Sequence, residues 1–569
     1  MDLKSVAYSA IKGCMGKKSW IYLLILLISA LFATKALFYS GYYTSHDGWH
    51  QVARLYHFDK AIHDRHFPPQ WAGGLLNGAG YPLFLFSYHL PWYIAEPFVL
   101  FGFSIFDAIK ATFIVGFLLS GILMFFYLKD MWTDEAAFLG SFLYLWVPYR
   151  FLNIFVRAAL GEASCFIFLP LVFWSLYRLQ NGLNRKFVIV GAVGVAGLIL
   201  SHAMIVYLVS ISTLLYFLTL LSQTKRKKDY VLHTLSVLLL GFGLSAYYII
   251  PAIFYQPSTM FTQIMKGLYK ADFVDISRLV YSPWGFGFST PGPGAMSLQL
   301  GIAQWLTLIT SVSMIIFSII NIKKNKYGNW FMPLTIVFSL LISIFLMLKP
   351  SLPFWQMVDR FIIVDFPWRM LAVVVFLISI LAGWMVHAIS DKRLQTMFII
   401  SMILIALYTN RNYLRVNEYT NIPLELYIAS EKTSNTHDEY LPKWANREFL
   451  NKEGKSFIRN ADDMSVHDVS IIKETSIQKD FSFTSDKGGD LSVNLLYFPG
   501  WKASLDGKEV PIHYDGNGLI QLKIPGGMHN ISLRFVDTPI TTAGKMVSLF
   551  ALGIILLLFK KMNSVDSNK

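Results

Sequence analysis

Long apolar runs recur along almost the whole chain, separated by short polar or basic stretches. Runs of this length cross the hydrocarbon core of a bilayer as helices, and few soluble folds contain so many. The pattern predicts twelve membrane-spanning helices, near 20–38, 109–128, 134–150, 163–178, 186–200, 204–222, 231–253, 298–322, 330–348, 370–389, 394–409 and 543–560. A further apolar stretch, "YPLFLFSYHLPWYIAEPFVLFG" at 81–102, is interrupted by Pro82, Pro91 and Pro97 and carries His89 and Glu96. The fold class expected is therefore a polytopic α-helical membrane protein.

The basic residues orient these spans. With Lys17 and Lys18 cytoplasmic and 81–102 making no net crossing, one side of the membrane receives Lys129, the Arg178–Lys186 stretch, "KRKK" at 225–228, "KKNK" at 323–326, "DKR" at 391–393 and Lys560–Lys561. Counting 81–102 as a single crossing places nearly all of them outside, against the positive-inside bias. The stretch is thus expected to be re-entrant or interfacial, or to cross twice, and both termini to be cytoplasmic. Broken helices at membrane depth are tolerated where protein or a cavity surrounds them. The outer face then receives 39–108, the corners at 151–162 and 201–203, the loops 254–297 and 349–369, and a large segment at 410–542.

That last segment changes period. "LSVNLLYFPGWKASLDGKEVPIHYDGNGLIQLKIPGGMHNISLRFVD" alternates apolar and polar residues between "DG", "DGNG" and "PGG". Such alternation with turn dipeptides predicts antiparallel hairpins, here a small extracytoplasmic β-sandwich. The expected domains are a transmembrane unit at 1–409 whose 39–108 loop bears the chemistry, an extracytoplasmic unit at 410–542, and a final span and cytoplasmic tail at 543–569. "NIS" at 530–532 matches a glycosylation sequon but falls inside a predicted strand.

Composition agrees with a membrane class. The 569 residues are 54% hydrophobic and 15% charged, where soluble domains average about 25% charged. The formal charge of +14 lies in the clusters between spans, so it reads as topology and not as a nucleic-acid partner. The two cysteines, Cys14 and Cys165, have neither a plausible disulfide partner nor metal-ligand spacing. The N-terminal apolar run lacks a small-x-small cleavage site and reads as a retained span.

The candidate chemistry concentrates in the outer segments. In "YYTSHDGWHQVARLYH", Asp47 lies just beyond the first span, flanked by His46, Gly48 and Trp49. A carboxylate there is suitably placed to take a proton from an incoming hydroxyl. Gln51 and Arg54, four and seven residues on, would share its face of a helix, and Trp49 and Trp71 offer flat surfaces on which sugar rings stack. In "FVRAALGEASCF", Arg157 and Glu162 are charges at the mouth of a span, either a mutual ion pair or functional groups. His202 sits between two apolar runs. Arg369, in "VDFPWRML", opens a span on the side where topology calls for no arginine; its planar fork suits a phosphate, with snorkelling as the plain alternative. The chain has no P-loop, no nucleophile elbow and no D-x-D pair, and His46–Asp47 alone is a weak metal signal.

The stretch "SHDGWHQVARLYHFDKAIHDRHFPPQWAGGLLNGAGYPLFLFSYHLPWY" resembles the first outer loop of the bacterial multispanning proteins called 6-pyruvoyl-tetrahydropterin synthase-related, membrane domain. "VRAALGEASCFIFLPLVF", "LSHAMIVYLV", "DFPWRML" and "DEYLPKW" match in the same order, and "YFPGWKASLDGKEVPI" is similar to the outer β-domain of YfhO-type envelope proteins. The resemblance implies a glycosyltransferase of the GT-C class, with Asp47 as general base and Arg157, Glu162, His202 and Arg369 at matching motif positions; His46, Gln51 and Arg54, read from the loop itself, complete the expected substrate-binding set. It implies a polyprenyl-phosphate-linked sugar donor, an envelope glycan, lipid or protein acceptor, and a bacterial cytoplasmic membrane location with the site facing outside. The missing D-x-D pair leaves a divalent cation open, and no other cofactor is implied. Two further functions fit the same residues: a lipid-linked glycan transporter or flippase, and a non-catalytic envelope scaffold.

Overall fold

The computed structural model describes residues 16–320, 330–428, 437–451, 456–460, 463 and 465–566. Cys14 and the 323–326 basic cluster lie outside the described residues. Among the described residues, eight helices are long and apolar enough to cross a membrane: Ile105–Met131, Leu160–Leu179, Ala203–Gln223, Lys227–Ser258, Ile302–Ile320, Pro367–Ala388, Lys392–Asn410 and Pro539–Met562. Two bent pairs raise the number to ten, Asp134–Leu145 with Pro148–Val156 at 48° and Phe331–Met347 with Lys349–Val358 at 91°. The remaining two expected segments form the 17-residue helices Lys17–Ala33 and Arg185–Ser201. Each rises about 26 Å, slightly less than a hydrocarbon core of about 30 Å. All twelve expected segments are helical, but the helices long enough to span number eight to ten.

Two boundaries differ from the sequence reading. The span expected at 134–150 stops at Leu145, and after a break the chain resumes at Pro148 for one turn and a π-helical turn, Leu152–Val156. Proline has no N–H with which to continue a helical ladder, so the break falls beside it. The 81–102 stretch forms two short helices, Leu83–Phe86 and Leu90–Leu100. Eleven residues rise about 17 Å, roughly half the apolar thickness, so this segment does not make a single helical crossing.

The Pro367–Ala388 helix is the axis of the membrane domain. Of its apolar window 94% is buried, against 17% for Pro539–Met562 at the periphery. Its neighbours approach closely. A Cβ on Gly140 would lie 2.3 Å from Leu128 Cδ1 and 2.7 Å from the Ser379 carbonyl oxygen. The peripheral helix docks on Lys227–Tyr255 in the same way, with Ser548 donating to the Gly243 carbonyl at 2.9 Å. In lipid there is little hydrophobic drive between helices, so close packing of small residues holds them together.

The C-terminal segment forms two antiparallel sheets. The larger runs Val466–Glu474, Gln478–Ser485, Gly527–Phe535, Trp501–Leu505 and Lys508–Val510 in spatial order. Gly489–Leu496, Leu519–Ile524 and His513–Tyr514 make the smaller one. Buried and partly exposed residues alternate along Gln478–Ser485, and Phe481 faces Ile531 across the ladder. This domain does more than hang from the last helix: it is seated on the first loop. Leu496 donates its N–H to Ala79 O at 2.7 Å, Asn494 Nδ2 donates to Asn77 O at 3.1 Å, and Trp71 packs against Trp501 and Phe535. A two-stranded ladder also pairs Tyr42–Tyr43 with Tyr419–Thr420.

The glycine contact gives a direct test. Gly140→Val must push Leu128 aside and collide with backbone oxygen, so it should cost on the order of 1–3 kcal/mol and lower the thermal unfolding midpoint in detergent. Gly553 has nothing within 4 Å of its would-be Cβ, and Gly553→Ala should leave the midpoint unchanged or raise it. Equal midpoints for the two variants would contradict this packing.

Candidate active site

The loop after the first helix is fixed by backbone before any side chain acts. His46 N–H donates to Val156 O at 3.0 Å and Asp47 N–H to Arg157 O at 2.9 Å. Asp47 then becomes the N-cap of Gly48–His63, its carbonyl accepting from Gln51 N–H at 2.9 Å. An N-cap carboxylate normally accepts from the first free N–H groups of its helix. Here Asp47 has φ −105° and ψ −2°, and its side chain makes no capping bond. The half-buried carboxylate lines the cavity instead. Gly48 is needed behind it, because a Cβ would sit 2.3 Å from Ser45 Oγ.

Gln51 is buried and already engaged. Its Nε2 donates to Ala158 O at 3.0 Å and its Oε1 accepts from Tyr88 OH at 3.2 Å. It therefore locks the helix to the 157–162 corner, while the Arg54 guanidinium lies 5.9 Å from the Tyr88 ring centre. His46 Nε2 lies 3.0 Å from Phe286 O, which ties down the 254–297 loop. Burial holds the His46 imidazole below its usual range.

Glu162, in the first turn of Leu160–Leu179, is the hub of the next group. It accepts from Tyr149 OH, from Asn153 Nδ2 at 3.1 Å and from Arg157 Nη1 at 2.8 Å, with Arg369 Nε at 3.9 Å. Arg157 also donates to Asn153 Oδ1 at 2.6 Å and lies over the Trp368 ring at 4.6 Å. The π-helical turn after Pro148 is what delivers Arg157 to this carboxylate five residues on. The sequence left a mutual ion pair and a functional role open for these two residues. The pair forms, and Glu162 is only 1% exposed.

Arg369 sits on the turn Pro367–Met370 and joins the hub to a second acid. Its Nη1 is 3.1 Å from Asp365 Oδ2 and donates to His202 Nε2 at 2.9 Å. Burial pushes the His202 imidazole down to about 3, and neighbouring Arg369 pushes the same way. A neutral ring that accepts at Nε2 carries its proton at Nδ1, and that buried Nδ1 has no hydrogen-bond partner among the described residues.

All eight residues singled out in the sequence (His46, Asp47, Gln51, Arg54, Arg157, Glu162, His202 and Arg369) line one cavity of about 960 Å³. Such a volume is at the upper end of small-molecule sites. Five cationic and six acidic side chains line it, so it is not an overall anion trap, and any anion must be held by local placement. Lys266 and Arg360, both exposed, lie at its rim; the sequence reading passed over them. Asp365, Tyr88 and Glu439 were missed as well. Asp365 had a legible signal, an acid four residues before Arg369. Tyr88 had none, since only the folded chain brings it to Gln51. The wall also includes Tyr207 and Ile253, which are 41% and 61% exposed on apolar membrane helices.

No family model matches the chain. A Lactococcus lactis subsp. cremoris protein of uncharacterised function is 25% identical over 346 residues, 56% of this chain and 53% of its own length. The chain thus spans about half the length of that curated relative. Among solved structures, the mycobacterial arabinofuranosyltransferase AftD is similar over 71% of this chain and 28% of its own, with TM-score 0.46 and 11% identity. An Archaeoglobus fulgidus oligosaccharyltransferase, tethered to an acceptor peptide, is similar over 75% and 60%, with TM-score 0.40 and 11% identity.

Proposed function

We propose that the chain is a GT-C-type glycosyltransferase that moves a sugar from a polyprenyl-phosphate-linked donor to an envelope acceptor. The observation that carries this reading is the continuity of the cavity. The same wall carries the Asp47 carboxylate and the exposed residues Tyr207 and Ile253 of the apolar helices. A molecule with a polar head and a lipid tail fits such a site, with the tail left against the membrane helices. The reading includes the site on the outer face, both termini in the cytoplasm and the two sheets stacked as a sandwich over the site.

In this mechanism Asp47 accepts the proton of an acceptor hydroxyl as its oxygen attacks the anomeric carbon. The bond from that carbon to the phosphate oxygen breaks, and its electron pair leaves with the phosphate. The leaving group needs no proton, so direct displacement inverts the anomeric centre. Arg369 stabilises the developing charge. It is partly neutralised by Asp365, so the rim cations Lys266 and Arg360 supply additional charge. His202 accepts from Arg369 and so helps to orient its guanidinium toward the phosphate. Among the described residues, no cluster of three ligating side chains includes Asp47.

Asp47→Asn should lower sugar transfer from a polyprenyl-phosphate-sugar by at least about 10²-fold while donor binding and thermal stability stay near wild type. Wild-type transfer by this variant would remove Asp47 from the chemistry; donor binding without transfer by the wild type would favour the transporter reading. Glu162→Ala should behave in the opposite sense. It strands Arg157, while Arg369 keeps Asp365, and loss of one partner from a buried pair costs about 3–5 kcal/mol, read as a lowered unfolding midpoint. Arg369→Lys should reduce donor use about tenfold or more, because a point charge cannot hold Asp365 and His202 and also face phosphate. Unchanged donor kinetics in that variant would reassign Arg369 to anchoring.

A further inference from the structure

At the far end of the helix that Asp47 caps, a second group of polar side chains has no place in this mechanism. Asp59 and His63 lie four residues apart, one turn of Gly48–His63, and face Glu96 of Leu90–Leu100. One donor atom from each falls within 4.8 Å of the other two. His63 Nδ1 is 3.0 Å from the Asp59 carbonyl oxygen and 3.1 Å from its Oδ1. Glu96 is only 5% exposed, and neither of its carboxylate oxygens receives a hydrogen bond from a donor group among the described residues; Asp59 Oδ1 faces only His63. A buried carboxylate left without donors, beside a second carboxylate, carries a desolvation cost that native folds rarely leave uncompensated. The cationic side chain closest along the helix, Lys60, is directed to Asp64 at 3.6 Å.

We propose that Asp59, His63 and Glu96 form a divalent transition-metal site, best matched to Zn²⁺, that clamps the Gly48–His63 helix to Leu90–Leu100. Two carboxylates and one imidazole are ligands suited to zinc, whereas Ca²⁺ requires six or more oxygens and Mg²⁺ avoids imidazole. Two donors bound to one tetrahedral zinc at about 2.0–2.2 Å stand roughly 3.3–3.6 Å apart; His63 Nδ1 and Asp59 Oδ1 already lie at 3.1 Å, and Glu96, within 4.8 Å, has to close the remaining gap, which His63, 62% exposed at its side chain, can follow. A water fills the fourth position. Asp59 is twelve residues beyond Asp47, about 18 Å along the helix axis, so the metal is too far away to touch the transfer chemistry. It acts by joining the helix that carries Asp47 and Arg54 to the short helix of the 81–102 segment. The competing explanation is a proton shared between the two carboxyl groups, since burial and Asp59 beside it push Glu96 up to about 7.

The test uses the full-length protein in detergent, without a polyhistidine tag, titrated with Zn²⁺ and, as a spectroscopic substitute, Co²⁺. The expected result is one Zn²⁺ per chain, a rise in the unfolding midpoint on binding, and a visible Co²⁺ spectrum with nitrogen and oxygen ligands. His63→Ala, an exposed substitution that leaves the fold intact, should weaken Zn²⁺ at least tenfold and abolish the midpoint rise. Glu96→Gln should do the same, while Asp47→Asn keeps full binding. Three results would overturn the site: no stoichiometric Zn²⁺ in the wild type, binding retained in both His63→Ala and Glu96→Gln, or binding that disappears with Asp47→Asn or with His467→Ala, a histidine set between Asp468 and Asp486 on the exposed strand Val466–Glu474. A wild type without Zn²⁺ that Glu96→Gln stabilises would establish the shared proton instead.

Discussion

One buried carboxylate constrains the arrangement of this site. Glu162 is nearly inaccessible in the first turn of an apolar helix, where an unpaired charge is costly. Four groups answer it: Tyr149, Asn153, Arg157 and, at longer range, Arg369. Three of them come from the short segment after the Pro148 break, and the fourth from the turn that opens the central helix. To satisfy Glu162 the chain must bring the 148–157 corner and the 365–369 turn together. The backbone at 156–157 then accepts from His46 and Asp47, so the same constraint positions the catalytic candidate. Ion pairing, a π-helical turn and two main-chain bonds act in series.

The β-domain enters this chain of constraints from the opposite side. It is seated on residues 64–81, the part of the first loop between the Asp47 helix and the 81–102 segment. Gln70 and Lys545 both bond Asp537, just before the last helix, and Ser476 N–H donates to Asp64. The first loop is therefore held at both ends, by the ladder with Tyr419–Thr420 and by the sheets. A long loop on the rim of a membrane domain would otherwise be mobile, and a base must be held to within a fraction of an ångström to act.

How much of this could be read from the sequence depends on whether a signal is local. Helical apolar runs were legible because a bilayer-length segment has no alternative to an internally hydrogen-bonded helix. The alternation and turn dipeptides of 489–535 were legible because side chains on a strand alternate faces. Asp47, Gln51 and Arg54 share a face by their spacing, and that too was local. The broken helix at Leu145–Pro148 was less legible, since Pro148 marked a boundary but not a change of direction. Asp365 beside Arg369 was open to view and passed over.

What the sequence determined alone, then, was the inventory: a helical membrane domain, a β-domain near its end, and polar residues clustered in the loops on one side of it. Only the tertiary structure decided which of them meet. It engaged Gln51 in a structural bond, buried Glu162 among donors, gave Arg369 both an acid and a neutral histidine, and left the carboxylate of Asp47 without a capping bond to its own helix. Those outcomes turn on contacts between residues up to several hundred positions apart. Hydrophobic and turn patterns encode which way a side chain faces within its own element. The partner it meets there is fixed by how the elements pack, and no short-range pattern carries that information.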